Sequence, residues 1–144
     1  MENKVLLPGE GRILNVIGDH VVVRLSGEET DGAFSLIEQT SEPGMGIPLH
    51  THDNEDELFF VMKGTMQFQI GDQIIEAPEG TTAWLPRGLP HSFKAIGDTP
   101  ATASVTILPA GMEKMLGELG ALPPGPSEME KVLAICERYG VRFK

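Results

Sequence analysis

Short runs of apolar and β-branched residues, separated by Gly, Pro and acidic residues, occupy most of the chain. Runs of this length and composition are typical of β-strands. They predict strands over residues 12–16, 20–25, 33–39, 58–62, 65–70, 73–76, 81–85, 92–95 and 102–108. A chain with so many short strands usually closes them into a barrel or double sheet, because closure removes exposed edges.

The turns between the central strands are also visible in the sequence. Lys63-Gly64 and Gly71-Asp72 each separate two apolar runs, which is the spacing of consecutive β-hairpins. Pro and Gly at 78–80 and 86–90 interrupt the later strands, because proline lacks a ladder donor and glycine accepts positive φ.

The last third of the chain has helical spacing over residues 111–120 and 127–139. Ser127 and Glu130 form a capping-box pattern at the start of the second helix, and Gly140 stands where a C-terminal cap belongs. One face of that helix collects the residues Met129, Val132, Leu133, Cys136 and Tyr139. We expect this face to pack on the barrel.

Composition and charge narrow the possible functions. The 144 residues fit one domain, 1–144, and a formal charge of −10 disfavours nucleic acid and anionic lipid as partners. No apolar run approaches the length of a membrane span or a signal peptide, so we expect a cytoplasmic protein without membrane contact. The one cysteine, Cys136, is expected to be a small buried apolar residue.

Three of the four histidines fall between residues 44 and 91, and this clustering suggests a metal site. His50 and His52 are two apart, so in a strand both imidazoles project from the same face and can bind one ion. His91 follows a turn rich in Pro and Gly and could reach inward from a neighbouring strand. His20 lies far from the other three histidines in the sequence and is expected at an ordinary strand or turn position.

An acidic stretch over residues 53–57 follows the histidine pair and offers a carboxylate ligand. Glu57 begins an apolar strand that could hold it rigidly, which favours it as the ligand. Glu55 lies in the turn itself and remains the substitute if Glu57 points outward.

These residues match a known pattern of glycines and metal ligands. Residues 44–64 read G-x5-H-x-H-x4-E-x6-G, which resembles the first cupin motif, and residues 80–91 read G-x5-P-x-G-x2-H, similar to the second. The asparagine usual in that family four residues after the last histidine is Ala95 here, which puts only a supporting contact in doubt.

The resemblance implies an all-β cupin fold: a double-stranded β-helix, or jelly-roll barrel, over about 33–108, with a helical extension over about 111–144 packed on it. It implies one divalent metal ion (Fe, Mn, Ni, Cu, Co or Zn) held by His50, His52, Glu57 and His91. It also makes a homodimer the expected assembly. The C-terminal residues resemble those of quercetin-dioxygenase-like members with a single cupin domain.

The function expected on this basis is a mononuclear metal-dependent dioxygenase acting on a small organic molecule. Glu57 is the candidate catalytic residue, because a carboxylate beside the metal can accept a proton from the substrate. Phe59 and Phe93 each lie two residues beyond a proposed ligand and are expected to line the substrate pocket. The alternatives are a non-enzymatic module that binds a small ligand, and a metal-dependent isomerase or decarboxylase.

Overall fold

The structure is a computed structural model that describes residues 2–125 and 128–144. Strands dominate these residues, and both helices come near the C-terminus. The elements are β1 (Arg12–Val16), β2 (Asp19–Leu25), β3 (Ser35–Ser41), β4 (Gly46–His52), β5 (Asp56–Lys63), β6 (Thr65–Ile70), β7 (Gln73–Ala77), β8 (Thr82–Leu85), β9 (His91–Ile96), β10 (Ala101–Leu108), α1 (Met112–Gly120), α2 (Met129–Arg138) and β11 (Val141–Phe143).

The strands form two antiparallel sheets. One has the order β1-β2-β3-β10-β5-β8, and the other has the order β11-β4-β9-β6-β7. Strands that are neighbours in space are often distant in sequence, as β10 is from both β3 and β5. This all-β architecture with two C-terminal helices confirms the predicted fold class.

A single core cluster draws on both sheets and both helices. Side chains alternate along each strand, so every second residue points inward. On β10, for example, Ala101, Ala103, Val105 and Ile107 are buried, whereas the residues between them are half-buried. The pleat therefore decides which face of each strand reaches the interior.

The strand bounds agree with the sequence pattern for β1 and β6 and differ by a few residues for several others. β1 and β2 are part of the six-stranded sheet, so the sheet begins well before the predicted core at residue 33. The short strand β11 was not predicted, because three residues are too few to show alternation. The bounds of β4 were also missed, since Gly46 and Pro48 interrupt its apolar residues.

The two helices lie against the sheets and each other: α1 packs on β1 and β3, and α2 contacts α1 and β11. The predicted apolar face of α2 was partly wrong, because Met129 and Leu133 are 50% and 46% exposed and Ile135 is buried instead. Neither helix of the described residues combines the length and hydropathy that crossing a bilayer requires.

Of the two caps predicted for α2, the C-terminal one lies within the described residues. The predicted capping box includes Ser127, which lies outside the described residues. At the other end Gly140 has a φ of 77° and follows the last turn, as a C-terminal cap does. Its carbonyl accepts a hydrogen bond from the backbone N–H of Asp53 (2.8 Å), which connects α2 to the end of β4.

Candidate metal centre

Four side chains from three strands meet between the two sheets. His50 and His52 project from the same face of β4, and His91, the first residue of β9, lies directly opposite His50. Glu57 enters from the facing sheet, near the start of β5. All four residues are buried. The structure thus brings together the four residues predicted as ligands, including His91, which is distant in sequence.

The candidate donor atoms lie close to one another. His50 Nε2 is 3.0 Å from His52 Nε2, and Glu57 Oε1 is 3.1 Å from His52 Nε2 and 3.2 Å from His91 Nε2. One donor atom from each of the four residues lies within 4.8 Å of the others. Two ligands bound at about 2.1 Å and at right angles to each other are separated by about 3.0 Å. The observed spacing therefore fits a shared ion.

Backbone carbonyls orient two of the imidazoles. His50 Nδ1 is 2.7 Å from the Pro48 carbonyl oxygen, and His91 Nδ1 is 2.9 Å from that of Leu89. A carbonyl oxygen only accepts hydrogen bonds, so each Nδ1 must carry the proton and donate. Each Nε2 then presents its lone pair to the centre, which is the form that binds a metal.

Several polar atoms at the centre are buried without a hydrogen-bond partner among the described residues, including Glu57 Oε1 and His91 Nε2. Buried polar atoms in folded proteins nearly always have a partner, and unpaired ones require an explanation. A divalent cation would satisfy a carboxylate oxygen and imidazole lone pairs together. The donor set therefore fits a metal ion.

Burial and mutual contact set the protonation of these groups. Burial and the neighbouring imidazoles of His91 and His52 lower the pKa of His50 to about 4. For Glu57, burial alone would raise the pKa, but the adjacent imidazoles of His52 and His91 outweigh it and lower the pKa below its usual range. Neutral His50 and ionised Glu57 are the forms that a metal requires.

Glu55, the substitute ligand considered from the sequence, is not part of the cluster. Its Oε2 lies 3.9 Å from His52 Nδ1, on the side of the ring that faces away from the other donors. Both atoms are buried and have no hydrogen-bond partner in residues 2–125 and 128–144. Burial raises the pKa of Glu55. The geometry favours a role in orienting His52, because a metal on Nε2 leaves the proton on Nδ1, facing this carboxylate.

We expect Glu55→Gln to weaken metal binding by about 10-fold to 100-fold, the usual effect of losing a group that orients a histidine ligand. Competition with a chromophoric chelator measures the affinity. Glu76→Gln, which changes an exposed glutamate on β7 in the same way, should leave the affinity unchanged. Equal affinities for the two variants would show that Glu55 does not support His52.

A cavity of about 470 Å³ adjoins the donors. His50, His52 and Glu57 form part of its wall, and Phe59 and Phe93, the predicted pocket residues, also line it. Cys136 lines it too; it is buried, and burial raises the pKa of its thiol. The remaining wall is largely apolar, and the helices contribute Met112, Met115, Leu116, Leu119, Met129, Val132 and Leu133.

Two polar residues in this wall were not recognised from the sequence. Asp19 lies at the β1–β2 turn and Gln39 lies on β3, and both line the cavity. The available signal was that Gln39 alternates in phase with Ile37, which predicts an inward side chain. For Asp19, no pattern separates it from an ordinary turn residue.

Residues 37–107, which include all four donors, match the family model described as the cupin domain. Residues 37–107 form a cupin domain. Ala95 stands where the family pattern has asparagine. It is fully buried on β9, four residues from His91, which is about 13 Å along a strand. At this distance we expect the substitution to have little effect on the four donors.

Similarity to a curated protein covers about half of this chain. An uncharacterized protein of Methanocaldococcus jannaschii is 27% identical over 66 residues, which are 46% of this chain and 53% of that protein. This chain therefore spans about half the length of the curated relative it matches. That match reveals no activity.

Two of the solved structures that share the fold have a named activity in their descriptions. A predicted oxalate decarboxylase from Thermotoga maritima has a TM-score of 0.65 and 21% identity, with coverage of 73% of this chain and 98% of that one. The polyketide cyclase RemF from Streptomyces resistomycificus has a TM-score of 0.64 and 20% identity, with coverage of 74% and 80%. At these identities the similarity establishes the architecture, and the two named activities differ.

Proposed function

We propose that this cupin is a mononuclear metal-dependent enzyme, a dioxygenase, acting on a small and mainly apolar organic molecule. The observation that carries the proposal is that four buried donors, with unpaired atoms directed at one point, adjoin an apolar cavity. Structural metal sites are normally closed, whereas catalytic sites adjoin a space where substrate can reach the ion.

The four donor residues bind the ion, and the cavity beside them binds the substrate. His50, His52, His91 and Glu57 would hold the metal, which when bound supplies Lewis-acid or redox chemistry to a substrate in the cavity. Glu57 also faces that cavity, so its carboxylate is placed to take a proton from the substrate. The proposal therefore gives Glu57 the catalytic role expected from the sequence.

Phe59 and Phe93 supply part of the apolar surface of the cavity. Their ring centroids are 5.3 Å apart in an edge-to-face arrangement, and both side chains are buried. A rigid aromatic wall of this kind excludes water and orients a flat or apolar substrate. The cavity volume is within the range of small-molecule sites in proteins, about 300–1,000 Å³.

The names of the two structural neighbours suggest reactions other than dioxygenation, which the test must include. One is called a predicted oxalate decarboxylase and the other a polyketide cyclase, and neither name implies consumption of dioxygen. The ligand set alone does not select among such reactions. The experiment must therefore separate oxygen-dependent chemistry from metal-dependent chemistry without oxygen, and both from binding alone.

The test is oxygen uptake and product analysis with flavonols, thiols and diketones, using protein loaded separately with Fe, Mn, Ni, Cu, Co and Zn. Uptake that is lost in Glu57→Gln supports the dioxygenase. Products formed without oxygen uptake would indicate an isomerase or decarboxylase, and ligand binding without turnover would indicate a binding module. Either of those results contradicts the dioxygenase proposal.

We expect metal affinity to rise with pH. Burial lowers the pKa of His52, but the hydrogen bond and charge of Glu57 outweigh this and raise it above the ordinary 6.5, whereas His50 stays neutral down to about 4. The metal must displace the proton on His52, so affinity should fall about tenfold per pH unit below that pKa. Chelator competition between about pH 5 and pH 8 measures this slope, and a flat profile would contradict it.

Homodimer formation, a cytoplasmic location and the lack of a nucleic-acid partner remain predictions from the sequence. The formal charge of −10 supports the last of these. Light scattering of the purified protein tests the first.

A further inference from the structure

Asp19 is a buried carboxylate in the cavity wall, at the end formed by the β1–β2 turn. It is 5% exposed, and its Oδ2 accepts hydrogen bonds from Gln39 Nε2 (2.7 Å) and Ser41 Oγ (2.8 Å). Both partners are neutral. Across the described chain, no Lys, Arg or His forms an ion pair with it. A buried charge without a counter-charge is costly and requires an explanation.

Two acceptor atoms remain free at this end of the cavity. Both hydrogen bonds reach Oδ2 of Asp19, and its Oδ1 accepts none from the described residues. Gln39 turns its amide nitrogen towards Asp19, so its Oε1 is the remaining acceptor on that side chain. Both residues line the cavity. At this end an otherwise apolar wall thus contains a carboxyl and a carboxamide group, each with one oxygen that accepts no hydrogen bond from the described residues.

The turn that carries Asp19 has an unusual backbone. Ile17 has a φ of 50°, a conformation that is strongly disfavoured for a β-branched residue, and it also lines the cavity. A two-residue hairpin turn between Val16 and Asp19 requires positive φ at both of its central residues, Ile17 and Gly18. The turn therefore holds Ile17 beside Asp19 in the cavity wall.

The cluster lies well away from the metal donors. Gln39 pairs with Ala103 on β10, and Glu57 pairs with Ile107, four residues further along the same strand. At about 3.3 Å per residue, the two polar ends are separated by roughly 13 Å along the strands. Phe59 on β5 pairs with Val105, midway between Ala103 and Ile107, and lines the cavity there.

We propose that Asp19 and Gln39 bind a hydrogen-bond-donating group, a protonated amine or a hydroxyl, at the end of the ligand remote from the metal donors. This inference rests on the proposed function, because it takes the cavity to be the substrate site. The substrate class is then an elongated and mainly apolar molecule, with a metal-chelating group at one end and a donor at the other.

Straight-chain hydroxamates of matched length test this on the zinc-loaded protein, because the hydroxamate chelates the metal and the far end can be varied. We expect probes ending in an amine or a hydroxyl to bind about 10-fold to 100-fold more tightly than the methyl-ended probe. The stronger of the two identifies the donor as charged or neutral. Equal binding of all three probes would overturn the proposal.

Two variants separate ligand binding from a structural role. Asp19→Asn keeps an oxygen for Gln39 and Ser41 but turns an amide N–H₂ to the cavity, which repels an ammonium group, so the preference for the amine-ended probe should fall at least tenfold. Ser41→Ala removes one supporting hydrogen bond and leaves the free acceptor in place, so this preference should remain. An undiminished preference for the amine-ended probe in Asp19→Asn would contradict the assignment, and thermal melts verify that both variants fold.

The same experiment distinguishes failure of the inference from failure of the proposed function. If the methyl-ended hydroxamate does not bind the zinc-loaded protein at all, the metal site is not open to the cavity. The preference is then measured on metal-free protein with an n-alkylammonium and the matched n-alkyl carboxylate. Tighter binding of the ammonium by the wild type, reduced in Asp19→Asn, supports the inference, and no difference between wild type and variant overturns it.

Discussion

His91→Ala should abolish stoichiometric metal binding, with a loss of affinity greater than about 100-fold. The expected loss exceeds that figure because removal of a group that only orients a histidine ligand already costs 10-fold to 100-fold. His91 is the candidate ligand contributed by β9, and its Nε2 lies 3.2 Å from Glu57 Oε1. Elemental analysis after dialysis against dilute metal measures the content per chain.

The matched control is His20→Ala. His20 is exposed on β2, outside the cluster, so this variant should keep the full metal content of the wild type. Loss of metal in both variants, or in neither, would show that the barrel interior is not the binding site. Circular dichroism of the metal-free proteins verifies that His91→Ala keeps the fold.

Phe59→Ala should lower the free energy of unfolding by about 3–5 kcal/mol, the usual cost of removing a fully buried aromatic ring. Phe59 is 2% exposed, and its ring centroid lies 5.4 Å from that of Phe68 and 5.3 Å from that of Phe93, both edge to face. Its removal would leave the two other rings without their common neighbour. Urea denaturation of the metal-free protein measures the change.

The adjacent residue provides the control. Phe60 is 47% exposed because it points from the opposite face of β5, so Phe60→Ala should change stability by no more than about 0.5 kcal/mol. A similar cost for both substitutions would contradict the alternation of faces on this strand, and with it the direction in which Glu57 points.

The sequence predicted which four side chains meet between the sheets, because its signals there are local and chemical. His50 and His52 share a face through the two-residue period of a strand, and the spacing of glycines and prolines around His91 matches a family motif. Glu57 was preferred over Glu55 because it begins an apolar strand, and the structure places Glu57 among the donors. Each of these inferences uses only neighbouring residues.

The remainder of the cavity could not be predicted, because it depends on contacts between distant segments. Asp19 meets Gln39 only after β2 pairs with β3, and the helices reach the cavity only after α1 packs on β1. The exposure of Met129 and Leu133 has the same origin. Helical periodicity predicted an apolar face, but it did not show that part of this face borders a cavity.

The central claim is that His50, His52, Glu57 and His91 share one metal ion, and a crystal structure with anomalous data collected at the metal edge tests it most directly. We predict a single anomalous peak about 2.0–2.2 Å from the Nε2 atoms of the three histidines and from a Glu57 carboxylate oxygen. A peak elsewhere in the metal-loaded protein, or a His91 ring that turns away from the peak, would contradict this claim.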